Sequence, residues 1–546
     1  MLGYVLDPYS ILVPFLIFAI GLSHGAQKMN GIMQDVGRGT HKYVAARYTF
    51  RRLFMAGLTA LLVNIVGFAV LVIIDIPVIR DMALTTSLGV AILIFTKLFL
   101  IPVLLSYFGV SESAARRSVQ SITQLEAGRS PLQMIRAWLV RLTERRRATA
   151  AVLGALVLAG AGFSISHHVQ FGDLNAGAPE LRPESRYNRD VAFVSQNYGL
   201  STDQFVVMLK TPQGECTKFA SLIESDRLAA RLREIPGVQT TFSPADGVRL
   251  ATSGMFEGNP KWQAIPRNNS NRNQAFQMFS TDRPEMADRG CAITPIIAYL
   301  SDHKAATLDR VVEEVESYAK QYNTPAREFM LAAGSAGIEA TTNIVVKRSF
   351  WTLHLVLYGA VALLCFITFR SWRAVVVALV PLVITSVLCE ALMVMLNIGI
   401  KVATLPVIAV GVGVGVDYAL YLLSVQLNMQ RQGMTLARSY EGSLDFVGRI
   451  VGLVGLTMAA GVIPWIWSPI KFQADMGILL SFMFLWNMIG ALVLIPALSY
   501  FLLPKVVSRE APAVPTSSAE PLPTPYAAAD EAVIPGHQAA RYRVRG

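Results

Sequence analysis

Apolar runs of similar length recur along the chain, at 11–29, 53–74, 83–108, 149–166, 349–369, 374–396, 400–426, 447–467 and 478–503. About 20 apolar residues, each rising 1.5 Å, are needed to cross roughly 30 Å of hydrocarbon, so these runs predict membrane-spanning helices. Between 167 and 346 the pattern changes to shorter, mixed segments. Residues 205–209, 292–300 and 329–333 read as strands, whereas 216–233 and 306–322 repeat at helical spacing. Strands and helices in that order predict a split βαβ sandwich. Residues 243–275, with Pro244, Pro260, Pro266 and the Asn268-Asn269-Ser270-Asn271 cluster, predict a loop insertion. Residues 117–140 predict an interfacial helix on the cytoplasmic face, and the Pro- and Ala-rich 505–546 predict a disordered tail.

The fold class is thus a polytopic α-helical membrane protein carrying an extracytoplasmic α+β domain. Its expected organisation is three spans in 1–110, a cytoplasmic linker in 111–148, a fourth span in 149–166, the α+β domain in 167–346, a five-span bundle in 347–504 and a cytoplasmic tail in 505–546. The 546 residues are only 16% charged, against roughly 25% in soluble domains, which excludes a soluble enzyme. The net charge of +11 is unevenly spread: 167–346 holds 18 Lys+Arg and 21 Asp+Glu, a net of −3, and the remainder is +14. The excess sits in short loops. Lys28, Arg38, Lys42, Arg47, Arg51 and Arg52 in one, and Arg116, Arg117, Arg129, Arg136, Arg141 and Arg145-Arg146-Arg147 in another, mark the cytoplasmic side. Membrane topology therefore accounts for the charge, and nucleic acid is not implied as a partner. Cys365 and Cys389 fall in apolar runs and read as buried small hydrophobes. Cys216 and Cys291 both lie in the extracytoplasmic block, where a disulfide is chemically allowed.

Two halves of the chain match each other. Gly57-Leu58-Thr59 recurs as Gly455-Leu456-Thr457, Asp81-Met82 as Asp475-Met476, and Ile101-Pro102 with Ser106-Tyr107-Phe108 as Ile495-Pro496 with Ser499-Tyr500-Phe501. The second copy reads as a span, a large outside domain and five spans, whereas the first holds only the last three spans of that pattern. This asymmetry, with an N-terminus expected outside, predicts an N-terminally shortened chain.

The sharpest chemical feature is Gly411-Val412-Gly413-Val414-Gly415-Val416-Asp417-Tyr418, inside the seventh apolar run. Gly411, Gly413 and Gly415 suit close helix packing. Asp417 lies about 25 Å below the outer surface by helical rise, where a carboxylate needs a proton or a partner, and it reads as a proton-relay residue with Tyr418 beside it. The repeat aligns Gly21-Leu22-Ser23-His24 with Gly415-Val416-Asp417-Tyr418. His24 and Lys97 sit at about 21 Å by the same rise, so Ser23, His24 and Lys97 are candidate relay partners, as is Thr457. Asn64, Thr59 and Asn487 suit either a relay or interhelical hydrogen bonding. Glu390 is too shallow to meet Asp417. His167-His168 is a weak metal hint. There is no P-loop, HExxH, CxxC or GxSxG pattern, which leaves ATP-driven transport and metal or serine hydrolysis without a basis.

The Gly413-Val414-Gly415-Val416-Asp417-Tyr418 motif, the Phe369-Arg370-Ser371-Trp372-Arg373 link, the Gly-Leu-Thr and Ile-Pro-x-Leu-Ser-Tyr elements, and Gly172-Asp173-Leu174 with Ala178-Pro179-Glu180-Leu181-Arg182-Pro183 and Ser185-Arg186-Tyr187-Asn188 occur here in one order. In this the chain resembles the MMPL-type group of the resistance-nodulation-cell division (RND) superfamily, related to sterol-sensing-domain proteins. The resemblance covers residues 5–504. It implies a twelve-span inner-membrane transporter with two porter-like domains, driven by proton flow, that exports lipids or other hydrophobic compounds. Onto this chain it carries a coupling role for Asp417 and Tyr418. The chain departs from the pattern in having Ser23-His24 where an acidic motif often sits.

The leading expectation is a secondary active transporter, not an enzyme, that uses the proton-motive force to export a hydrophobic or lipidic substrate from the bacterial inner membrane. No cofactor or metal is implied. The expected partners are protons, the substrate and membrane lipids, and a homo-oligomer or periplasmic partner is compatible with the chain. Two other readings stay open: a non-transporting, sterol-sensing-like lipid sensor or scaffold, and an inactive truncated transporter.

Overall fold

Among the described residues, the helices long and apolar enough to span a membrane are Leu12–Gly37, Lys42–Ile73, Pro77–Phe108, Arg145–Ser166, Gly334–Phe369, Trp372–Met395, Leu405–Arg431, Leu436–Trp467 and Lys471–Leu502. The computed structural model describes residues 9–504 apart from 11, 128–130 and 199–200. The predicted tail at 505–546 lies outside the described residues. Most of these helices outlast their apolar runs, because polar residues at their ends continue the backbone hydrogen bonding, whereas the seventh is shifted five residues toward the C-terminus. The first span is the clearest case: it stops only before Gly39, whose φ of 91° ends the helix in the left-handed conformation that glycine tolerates. Lys28, which the loop charge placed outside the membrane, is therefore inside this helix and fully buried.

The seventh span is buried along nearly its whole length and forms the centre of the bundle. Its glycines explain how. A side chain at Gly411 would strike Met483 of the ninth span, one at Gly413 would strike Asn64 of the second, and one at Gly415 would strike Leu382 of the sixth and Asn487 of the ninth. Asn487 Nδ2 donates to the Gly411 carbonyl at 2.7 Å. The third span changes winding midway: a π-helical segment, Ile94–Leu100, carries Lys97 between two α-helical stretches.

The α+β domain, inserted between the fourth and fifth spans, is built on one antiparallel sheet in the order β2-β3-β1-β4, with β1 Gln204–Lys210, β2 Val238–Phe242, β3 Ile293–Leu300 and β4 Glu328–Ala333. Helices Phe219–Arg233 and Ala305–Tyr322 connect β1 to β2 and β3 to β4, which is the split βαβ arrangement. Phe205, Val207 and Leu209 pack with Ile296 and Ala298 against Leu228, Leu232, Val311 and Val315 of those helices. Strand β2 and the helix Arg186–Tyr198 were not anticipated from the sequence.

The expected loop at 243–275 is mainly helical, with helices Pro244–Met255 and Asn269–Asp282 flanking a short 3-10 turn. Its prolines and asparagines start these helices rather than break them. Pro244 occupies the first turn behind a Ser243/Asp246 capping box, and the Asn268 side chain accepts from the Ser270 and Asn271 amides. Cys216 and Cys291 are joined as a disulfide beneath them. On the other side of the bundle the expected interfacial helix at 117–140 is two helices, Glu112–Ala127 and Pro131–Val140, with Pro131 opening the second.

The linker after the fourth span binds the domain to the bundle. Gly172 N donates to Ile400 O and Lys471 N to Glu180 O. Lys401 Nζ pairs with Asp173 at 2.7 Å, and Lys471 Nζ with Asp475 at 2.9 Å.

Candidate functional site

Asp417 is 1% exposed in the middle of the seventh span, and the bundle supplies it with two partners. His24 Nε2, from the first span, approaches Oδ2 to 3.3 Å, an ion-pair distance without aligned hydrogen-bond geometry. Asn64 Nδ2, from the second span, donates to Oδ1 at 3.1 Å and Oδ2 at 3.2 Å, and its other hydrogen holds the Ala60 carbonyl at 3.0 Å. A carboxylate in hydrocarbon persists only when charge or hydrogen bonds replace its lost hydration, and these two side chains do that.

His24 also faces a hydroxyl, with its Nδ1 2.8 Å from Tyr421 Oη. The imidazole thus stands between a carboxylate and a phenol. When Asp417 is ionised, Nε2 carries a hydrogen toward it and Nδ1 accepts from Tyr421. When Asp417 holds a proton, the other tautomer lets Nε2 accept and Nδ1 donate to Tyr421. Switching between these states moves a proton across the ring.

The remaining residues singled out from the sequence fall differently. Tyr418 Oη is 3.9 Å from the Met458 sulfur and turns away from Asp417. Ser23 is buried with an unpartnered Oγ. Lys97 lies against the first span, its Cε 3.2 Å from where a Gly21 side chain would begin, and makes no ion pair with Asp417. Thr457 is exposed and bonds its own helix at Val454 O. Thr59 pairs with Thr368 at 2.8 Å. Glu390 meets His354 at 3.7 Å instead of Asp417. Among the described residues, no group of three or more His, Cys, Asp and Glu is arranged to hold a metal.

Tyr421 was missed, although a signal for it existed. It lies four residues after Asp417 and so shares its helix face, whereas Tyr418, one residue on, points about 100° away.

A multi-span bundle around a buried carboxylate, with a split βαβ domain inserted in the chain, defines a polytopic membrane protein. The chain is a member of the MMPL family, whose profile matches residues 32–150 and 188–515. It is similar to a membrane protein of Methanocaldococcus jannaschii, with 22% identity over 275 residues that cover 50% of this chain and 68% of that one. Its fold is similar to that of SecDF in the super-membrane-facing form, with a TM-score of 0.50 and 12% identity over 90% of this chain and 54% of the other. The chain therefore spans about half the length of that structure.

Proposed function

We propose that this transporter uses the proton-motive force to export a hydrophobic or lipidic substrate from a bacterial inner membrane, with Asp417 as the coupling carboxylate. The observation that carries the reading is the enclosed Asp417–His24–Tyr421 series, in which a titratable imidazole lies between a carboxylate and a phenol. Nothing in packing requires such a series. A static core tends to replace buried charge with apolar side chains, which cost less to desolvate. Protonating Asp417 replaces its charge-assisted contacts with His24 and Asn64 by weaker neutral hydrogen bonds, and the first and second spans are thereby loosened relative to the seventh. A change in that equilibrium is the elementary step of alternating access. The α+β domain, tied to the bundle through Asp173 and Lys401, would receive the substrate on the outer side.

The test is export of a fluorescent lipid from proteoliposomes under an imposed pH gradient, with proton entry followed in parallel. Asp417→Asn keeps the shape and one acceptor oxygen for Asn64 but cannot titrate, and is expected to abolish both signals. Proton-dependent export that survives Asp417→Asn overturns the proposal.

A further inference from the structure

The first span buries more polar groups than the Asp417 site uses. Gln27 is 4% exposed and Lys28 0%, yet neither amide atom of Gln27 nor Lys28 Nζ has a hydrogen-bond partner in the protein. Ser23 Oγ, Gln34 Oε1, Asp35 Oδ2 and, on the second span, Thr49 Oγ1 are orphaned in the same way. Lys28 stands four residues after His24, on the row that carries the Asp417 partner, and the remaining groups of the first span lie mostly on the row beside it. Residues 23, 27, 31 and 35 follow one another at four-residue spacing on one face, and position 31 is a glycine against which Thr49 rests, its Cγ2 2.9 Å from where a side chain would begin. The line covers about 18 Å of helix at 1.5 Å per residue. It starts beside the Asp417 site and ends where Gly37 meets Ala115 of the helix Glu112–Ala127, on the side marked cytoplasmic by its loop charge. Native proteins rarely leave buried polar atoms without partners, and internal water is the partner left to this row.

The two series come close at one point. Tyr421 Oη and Lys28 Nζ lie 2.9 and 3.2 Å from the place where a Gly57 side chain would begin, hence within about 6 Å of each other. A glycine there leaves room for one bridging water between the phenol and the amine. Gly57 belongs to the repeated Gly-Leu-Thr element, but the nearest neighbour of its repeat mate Gly455 is the apolar Met488.

We propose that these two adjacent rows of the first span, His24–Lys28 and Ser23–Asp35, line a hydrated conduit from the His24–Asp417 pair to the cytoplasmic end of the bundle, with Lys28 as the proton carrier beyond Tyr421 and Gly57 keeping the passage open. The carrier role rests on the coupling function proposed for Asp417, whereas the conduit itself does not. In each transfer one O–H or N–H bond breaks as another forms. Asp417 gives its proton to His24 Nε2 while Nδ1 gives one to the Tyr421 oxygen. The hydroxyl proton of Tyr421 passes through water to the unprotonated Lys28 amine. Lys28 then gives a proton to water held beside Gln27, and the hydronium so formed passes it on through further water past Asp35 to the cytoplasmic side.

The conduit is tested by cysteine labelling in inside-out vesicles, using a membrane-impermeant cationic methanethiosulfonate on chains with Cys365→Ala and Cys389→Ala. Gln27→Cys and Thr49→Cys are expected to react at least about tenfold faster than Leu156→Cys, which faces lipid, because a cationic reagent is excluded from hydrocarbon. Equal rates overturn the conduit. Gly57→Val is expected to slow labelling of Ser23→Cys about tenfold while sparing Thr49→Cys, and unchanged labelling of a folded Gly57→Val chain overturns the role of Gly57. Lys28→Met, which opens no new bulk at Gly57, is expected to reduce proton flux while Gln27→Cys stays reactive; full flux overturns the carrier role. Reactive cysteines with flux intact in Asp417→Asn refute the coupling function and keep the conduit. Unreactive cysteines with flux lost in Asp417→Asn do the reverse.

Discussion

Gly413 is the position where helix packing and the site meet, and an alanine there puts the geometry to a quantitative test. The new Cβ lies 2.4 Å from Asn64 Oδ1 and 3.3 Å from its Cγ, so the amide has to withdraw by about 1 Å to reach a normal contact of roughly 3.5 Å. That movement stretches its bonds to Asp417, now 3.1 and 3.2 Å, beyond hydrogen-bonding distance. Overpacking costs about 1–3 kcal/mol and loss of a hydrogen bond to a charged group about 1.5–3, offset by about 1 kcal/mol of gained helix propensity. Gly413→Ala is therefore expected to destabilise by about 1.5–5 kcal/mol. Gly411→Ala is the control. Its Cβ meets the flexible end of Met483, with Sδ at 2.3 Å, and a thioether that swings aside leaves the change within about 1 kcal/mol of neutral. Thermal unfolding in detergent measures the difference, and the infrared carbonyl band assigned by Asp417→Asn reports whether the carboxyl has lost its donor. Equal stability of the two alanine variants, with an unmoved band in Gly413→Ala, refutes the reasoning.

Cys216→Ser opens a covalent loop with a sequence separation of 75 residues and is expected to cost the α+β domain about 2–4 kcal/mol, read as earlier unfolding that reductant also produces in the parent chain. His303 Nδ1 lies 3.2 Å from Asp203. Burial lowers its pKa, but the Asp203 hydrogen bond and the nearby carboxylates of Glu339, Asp203 and Asp173 outweigh that and hold it up to about 9. Its contribution to stability is thus complete below the unfolded value of about 6.5 and is lost as pH rises through about 9. His303→Gln should flatten the thermal stability profile across that window, and an unchanged slope refutes the assignment. Lys401→Met leaves Asp173 buried without its cation, and is expected to cost about 3–5 kcal/mol and to expose the Ala305 amide, now bonded to Asp173 O, to hydrogen exchange.

The bundle was legible because a lipid environment leaves few solutions for an apolar run of spanning length. Helix ends were not, since polar termini extend a helix whenever the fold satisfies them, as Lys28 and Asp35 show at the end of the first span. The sheet could be read from β1 and β3, whose buried residues alternate with half-buried ones, and from the apolar run of β4. Strand β2, with Thr240 and Thr241 between Val238 and Phe242, is too short and polar to announce itself. In the site, Asp417 stood out because a carboxylate within glycine and valine has no routine explanation. His24 followed from the repeat. Tyr421 and Lys28 did not: a tyrosine in an apolar span reads as packing, a lysine beside a loop reads as topology, and only tertiary structure brings them together.

The repeat also explains why there is one site and not two. Positions related by it carry Asp417 and Ser23, Tyr418 and His24, Tyr421 and Gln27, Asn64 and Val462, and Lys97 and Ala491. No functional side chain is kept in both copies, so the halves have become complementary, with the seventh span supplying the carboxylate and the first and second spans its imidazole and amide partners. Two accounts of that division predict different behaviour when both charges are removed. If Asp417 and His24 are a structural pair, Asp417→Asn with His24→Gln replaces it by two amides of similar shape, and the double variant should keep both stability and transport. If they are the coupling device, the double variant should recover the stability lost in either single variant to within about 1 kcal/mol of the parent, since no buried charge is left unpaired, yet move no protons. Unfolding and proton flux measured on the four chains of this cycle separate the accounts, and flux retained by the double variant refutes the coupling role of the pair.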